Sequence, residues 1–82
     1  MTPAQFRAVR EALSYTQTMM GERLGITQSA VSRIERGNAR PSEKGHVPQT
    51  VAKHIETWAE GNSRTARIVA AALREAGGDD HE

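Results

Sequence analysis

The chain predicts an all-α fold, a compact bundle of about five helices. Apolar residues recur three and four positions apart along most of its length. Helix-starting residues (Thr2-Pro3, Thr16, Thr27, Pro48, Ser63) stand ahead of each apolar stripe, and no segment reads as a strand. Thr2 caps the first helix with Pro3 at its first position, and Phe6, Val9 and Leu13 form its buried stripe. Thr16 caps the second, with Met20 and Leu24 on the inner side. Gly21 falls where two helices must cross, so a small residue is a packing requirement there, at a cost of roughly 1 kcal/mol in helix propensity against Ala. Gly25 can take the left-handed conformation that ends a helix and turns the chain. Ile26 plugs the turn from below, Thr27 caps the third helix, and Val31 and Ile34 face the core. Pro48 opens a fourth helix carrying Val51, Ile55 and Trp58, which Gly61 closes; Trp58 reads as a core or interface plug rather than a platform for stacked bases. Ser63 caps a fifth, with Ile68, Val69, Ala72, Leu73 and Ala76 along one side before Gly77-Gly78 stops it.

The division of the chain follows: residues 1–61 as one domain, 62–78 as a C-terminal helix, and 79–82 as a disordered tail with nothing to bury. The fifth helix has two possible neighbours, its own domain or its copy across a twofold axis. Alanines at 66, 70, 71, 72 and 76 allow close approach in either arrangement.

Chemistry concentrates on Gly25 through Glu35, which read as the turn and second helix of a helix-turn-helix. With Val31 and Ile34 inward, Gln28, Ser29, Ser32 and Arg33 fall on the outward face. Amide, hydroxyl and guanidinium are the groups that read base edges: Gln pairs both edge atoms of adenine, and Arg both acceptors of guanine, in the major groove. A merely solvated face more often carries Glu and Lys. For Arg33 the alternative to base reading is a phosphate contact, since Arg serves both uses.

The run from Gln17 to Gly37 resembles the Cro and lambda-repressor-like (xenobiotic-response-element type) helix-turn-helix family. The resemblance is carried by Gln17, Met20-Gly21, Leu24-Gly25-Ile26, Thr27-Gln28-Ser29, Val31-Ser32-Arg33 and Ile34-Glu35-Arg36-Gly37. Phe6, Val9 and Arg10 extend it into the first helix, so that residues 5–42 are covered. The resemblance implies that Gln17 touches a phosphate and braces Gln28, and that Arg10 pairs with Glu35. Arg10, next to Val9 near the buried edge, is otherwise a surface arginine. Two features depart from the family pattern. Ser14 stands where relatives have Gly or Asn, with Tyr15 in place of Leu, so a differently built corner is expected there. Glu43-Lys44-Gly45-His46 are inserted after Pro41-Ser42, making a long loop from Gly37 to His46.

Composition agrees with a small DNA-binding domain. Eighty-two residues make one domain near the size where a single core is only marginally sufficient. Its three aromatics, Phe6, Tyr15 and Trp58, leave the core to aliphatic residues and alanine. No cysteine is present, which points to a reducing cytoplasm, and no apolar run is long enough for a membrane span or an export signal. The net charge of +1 divides unevenly: residues 1–54 hold eight Lys/Arg against four Asp/Glu, while residues 55–82 hold three against six. Positive charge therefore travels with the motif. His46, His54 and His81 lack metal-ligand spacing, Glu56 and Glu60 read as a solvated helix face, and no phosphate-cradling loop or nucleophile motif occurs. Neither an enzyme, nor a metal, nor a cofactor is expected.

These observations lead to a homodimeric transcriptional repressor of phage, plasmid or bacterial type, bound to double-stranded DNA. Gln28, Ser29, Ser32 and Arg33 are expected to read bases; Gln17, Thr27, Arg36, Asn38, Arg40 and Lys44 are expected to hold phosphates, assisted by the amides that open the second helix. Two other readings share the fold: the antitoxin of a toxin–antitoxin pair regulating its own operon, and a protein-interaction module without DNA affinity.

Overall fold

The computed structural model describes residues 1–38 and 47–77, and in them five α-helices stand where the sequence expects them: α1 (Pro3–Ala12), α2 (Gln17–Leu24), α3 (Gln28–Glu35), α4 (Gln49–Trp58) and α5 (Arg64–Gly77). No strand occurs among the described residues. Four helices begin under a hydroxyl cap. Thr2 accepts from the Gln5 amide while the Gln5 side chain accepts from the Thr2 amide, a capping box with Pro3 just inside it. Thr16 and Thr27 accept from Met19 and Ala30, and Ser63 from Ala66. α4 is the exception: Pro48 is its N-cap and supplies no side-chain bond.

α1 packs along α5 and also touches α3, and α2 packs across α3. Between them lies one core. Phe6 and Val9 of α1, Met20 of α2, Val31 of α3, Ile55 of α4 and Val69 of α5 are fully enclosed, with Ile34, Val47, Val51, Ala52, Ala66 and Ala72 around them. The inner face of α5 is thus spent on its own domain, through Ala66, Val69 and Ala72. The Gln5 side chain ties the same pair of helices by donating to the Leu73 carbonyl at 3.0 Å. Trp58 is half-buried against the core. No helix among the described residues is long and apolar enough to cross a membrane.

Two backbone positions set how α2 and α3 meet. Gly25 takes φ 76° at the end of α2. Gly21, buried in the crossing, leaves so little room that a Cβ there would sit 2.5 Å from the Ile26 carbonyl oxygen. The requirement for a small residue at this crossing is therefore met by the absence of any side chain.

The corner between α1 and α2 differs from what its residues suggest. Ser14 adopts the left-handed conformation itself, at φ 60°, the conformation Gly or Asn takes most readily. The chain turns in that way despite the serine, with a local cost. Ser14→Gly is accordingly expected to raise stability by about 0.5–1 kcal/mol, measured by urea denaturation. Tyr15 is half-buried in this corner, and the Arg23 guanidinium lies 5.6 Å from its ring centre.

Candidate nucleic-acid interface

α3 is short, eight residues, and its composition splits by face. Val31 and Ile34 are buried, while Gln28, Ser29 and Arg33 are exposed and Ser32 is half-exposed. All four sequence-predicted base-reading residues thus share one accessible side of the helix. Arg33 also borders a cavity of about 200 Å³ with Ile26, Ala30, Ile34, Pro48, Thr50 and Val51, between α3 and the start of α4. Its aliphatic stem has an apolar surface to lie along while the guanidinium stays in solvent.

The phosphate candidates frame this helix. Thr27 is its N-cap and Arg36 its C-cap, both exposed. Asn38 is exposed just beyond, where its backbone N–H donates to the Arg33 carbonyl at 2.9 Å and closes the helix end together with the bond from the Gly37 backbone N–H to the Ile34 carbonyl. Gln17 is the first residue of α2, where the leading backbone amides have no carbonyl within the helix to bond. Arg40 and Lys44, like the inserted loop and the C-terminal tail, lie outside the described residues.

Side-chain bonds join these elements. Gln28 Nε2 donates to Gln17 Oε1 at 2.7 Å. Gln17 Nε2 donates to Glu35 Oε1 at 3.2 Å. Glu35 is held from the opposite side by Arg10, whose Nε donates to Oε2 and whose Nη2 donates to Oε1 at 3.2 Å. Arg10 Nη1 donates in turn to the Tyr15 carbonyl at 2.9 Å. The Arg10 and Glu35 side chains are 14% and 8% exposed, so the pair is largely withdrawn from water. Both contacts implied by the family resemblance are present: Arg10 with Glu35, and Gln17 with Gln28. The bond between Gln17 and Glu35 was not anticipated. It depends on the first residue of α2 meeting the last residue of α3, which neither spacing nor residue type reveals.

The exposed side of α3 offers hydrogen-bond donors and acceptors of the kinds that pair with base edges. Among the described residues no group of three or more His, Cys, Asp or Glu is placed to hold a metal ion. Neither a curated protein nor a solved structure matches the chain. Residues 6–44, a little under half of it, match the family model described as helix-turn-helix. This segment, which holds α2, the turn at Gly25 and α3, matches the Cro and lambda-repressor-like helix-turn-helix family, a family of DNA-binding regulatory proteins.

Proposed function

We propose that the protein is a homodimeric transcriptional repressor of the cytoplasm that binds an inverted-repeat operator with α3 in the major groove. The observation that carries this reading is the braced Gln28 at the first turn of α3, beside exposed Ser29 and Arg33. That end of the recognition helix is the one that approaches base edges in this motif. Gln28 pairs an adenine, Arg33 reaches a guanine further along the half-site, and Ser29 and Ser32 complete the readout. Gln17, Thr27, Arg36, Asn38, Arg40 and Lys44 hold the backbone on either side. Two copies set α3 and its mate one DNA turn apart, about 34 Å, through contacts of α4 or α5 that leave α3 free. A monomer by sedimentation, both free and on DNA, is the result that removes the dimer from this reading.

Base reading and phosphate holding separate cleanly in variants. Gln28→Ala and Arg33→Ala are each expected to cost about 1–3 kcal/mol on the operator and to relax preference at one base pair, with nonspecific affinity nearly unchanged. Titration against a panel of single-base-pair operator variants reads this directly. Wild-type preference at every position in both variants shows that α3 does not read sequence.

Arg40→Ala and Lys44→Ala are expected to weaken binding to operator and unrelated DNA alike. The support is charge: Arg33, Arg36, Arg40 and Lys44 follow one another from the recognition helix into the loop. Each lost phosphate contact lowers the slope of log affinity against log salt by roughly 1. An unchanged slope in both variants places the loop away from DNA.

A further inference from the structure

We propose that Glu35 is a positioning residue for sequence reading: acting through Gln17, it sets which way round the Gln28 amide is presented to the base. The inference rests on the reading of Gln28 as a base contact and adds to it a device that makes the contact directional.

A glutamine amide is nearly symmetric in shape and opposite in chemistry at its two ends, oxygen accepting and nitrogen donating. Rotation by half a turn exchanges them at little steric cost. Adenine presents its N6–H donor and N7 acceptor in a fixed order along the groove. Only one orientation of the amide, at a given place, matches that order, so an unconstrained glutamine reads ambiguously.

The bonds at the base of α3 remove the ambiguity. A carboxylate has acceptors and no protons to give, and Glu35 is doubly bonded by the guanidinium of Arg10, which has donors only. Whatever faces Glu35 Oε1 must therefore donate, so Gln17 must turn its nitrogen to Glu35. The Gln17 oxygen is then the atom left for Gln28, and it must receive a proton, so Gln28 must turn its own nitrogen inward. The bonds run one way, from Gln28 to Gln17 to Glu35, with Arg10 donating from the far side. The positions of the groups suffice to fix these directions, because the charge types at one end dictate the rest. Left over at the tip of Gln28 are its Oε1 and the second Nε2 proton, an acceptor and a donor in fixed order. Each bond in such a series polarises the next, which stiffens the arrangement.

Glu35→Gln tests the source of direction, since an amide at 35 offers Gln17 either a donor or an acceptor while keeping an oxygen for Arg10. Gln17→Leu cuts the link and leaves the Arg10–Glu35 pair intact, so it serves where Glu35→Gln folds poorly. In the free protein, relaxation of the side-chain amide nitrogens is expected to show Gln28 ordered in the wild type. In both variants its order parameter falls toward the flexible range, below about 0.6. On DNA, the base pair concerned is the one at which Gln28→Ala abolishes preference. There, Glu35→Gln and Gln17→Leu are expected to reduce discrimination about fivefold or more, with preference at the positions read by Arg33 retained. Gln17→Leu also lowers affinity for all sequences through its phosphate contact, which does not alter the ratio between base pairs. An unchanged Gln28 order parameter and unchanged discrimination in both variants overturn the role of Glu35 while leaving base reading by Gln28 in place. If Gln28→Ala itself changes no preference, base reading fails first and the role of Glu35 falls with it.

Discussion

Gly21→Val is expected to destabilise the domain by about 3 kcal/mol and to abolish DNA binding at temperatures where the wild type remains folded. The Cβ alone would stand 2.5 Å from the Ile26 carbonyl oxygen and 3.2 and 3.3 Å from the Thr27 carbonyl carbon and oxygen. These are backbone atoms of the turn and cannot swing aside as a side-chain tip does. Relief requires α2 to lift away from α3, which opens the core at Met20 and Val31, both fully buried. Valine also adds two methyl groups and brings no gain comparable to that of Ala in helix propensity. A domain of this size has of order 4–12 kcal/mol of stability, so the loss is a large share of it. Urea denaturation measures it; a midpoint within error of the wild type shows that the crossing has slack.

Arg10→Met is expected to cost about 3 kcal/mol, and the double variant Arg10→Met/Glu35→Met much less than the two single losses together. The single change strands the Glu35 carboxylate, only 8% exposed, with Gln17 as its remaining side-chain partner among the described residues. It also leaves the Tyr15 carbonyl without the guanidinium donor that ties the α1–α2 corner to α3. Removing both charges substitutes apolar packing for an ion pair whose desolvation offsets much of its attraction. A double-mutant cycle by chemical denaturation yields the coupling. Additive losses mean that solvent screens the pair despite its burial.

What was legible in the sequence is what is local. Thr2, Thr16, Thr27 and Ser63 announce their helices because capping involves a hydroxyl and an amide only a few residues on. The inward set of α3 follows from helical periodicity, and the outward set from subtraction. Gly21 was legible as well, since a glycine in mid-helix is costly without a packing reason. The Ser14 corner was not: the residue argues against a left-handed turn, and the packing on both sides of it prevails. Periodicity also marks the apolar face of α5 without saying what covers it. Alanines suit any close neighbour, and the neighbour that takes Val69 and Ala72 is the protein's own core. The bond between Gln17 and Glu35 lies furthest from reach, because it exists only once the crossing of α2 and α3 is fixed in space.

The most direct test of α3 as the reading element is amide chemical-shift mapping of labelled protein titrated with a duplex selected from a random-sequence pool. With α3 as the reading element, the largest changes are expected on Gln17, on Thr27 through Arg33, and on Arg36 and Asn38. These changes diminish as salt is raised, and Arg64, Arg67 and Glu75 of α5 stay unmoved. Failure to enrich any sequence, or changes centred on α4 and α5 with α3 silent, contradicts it.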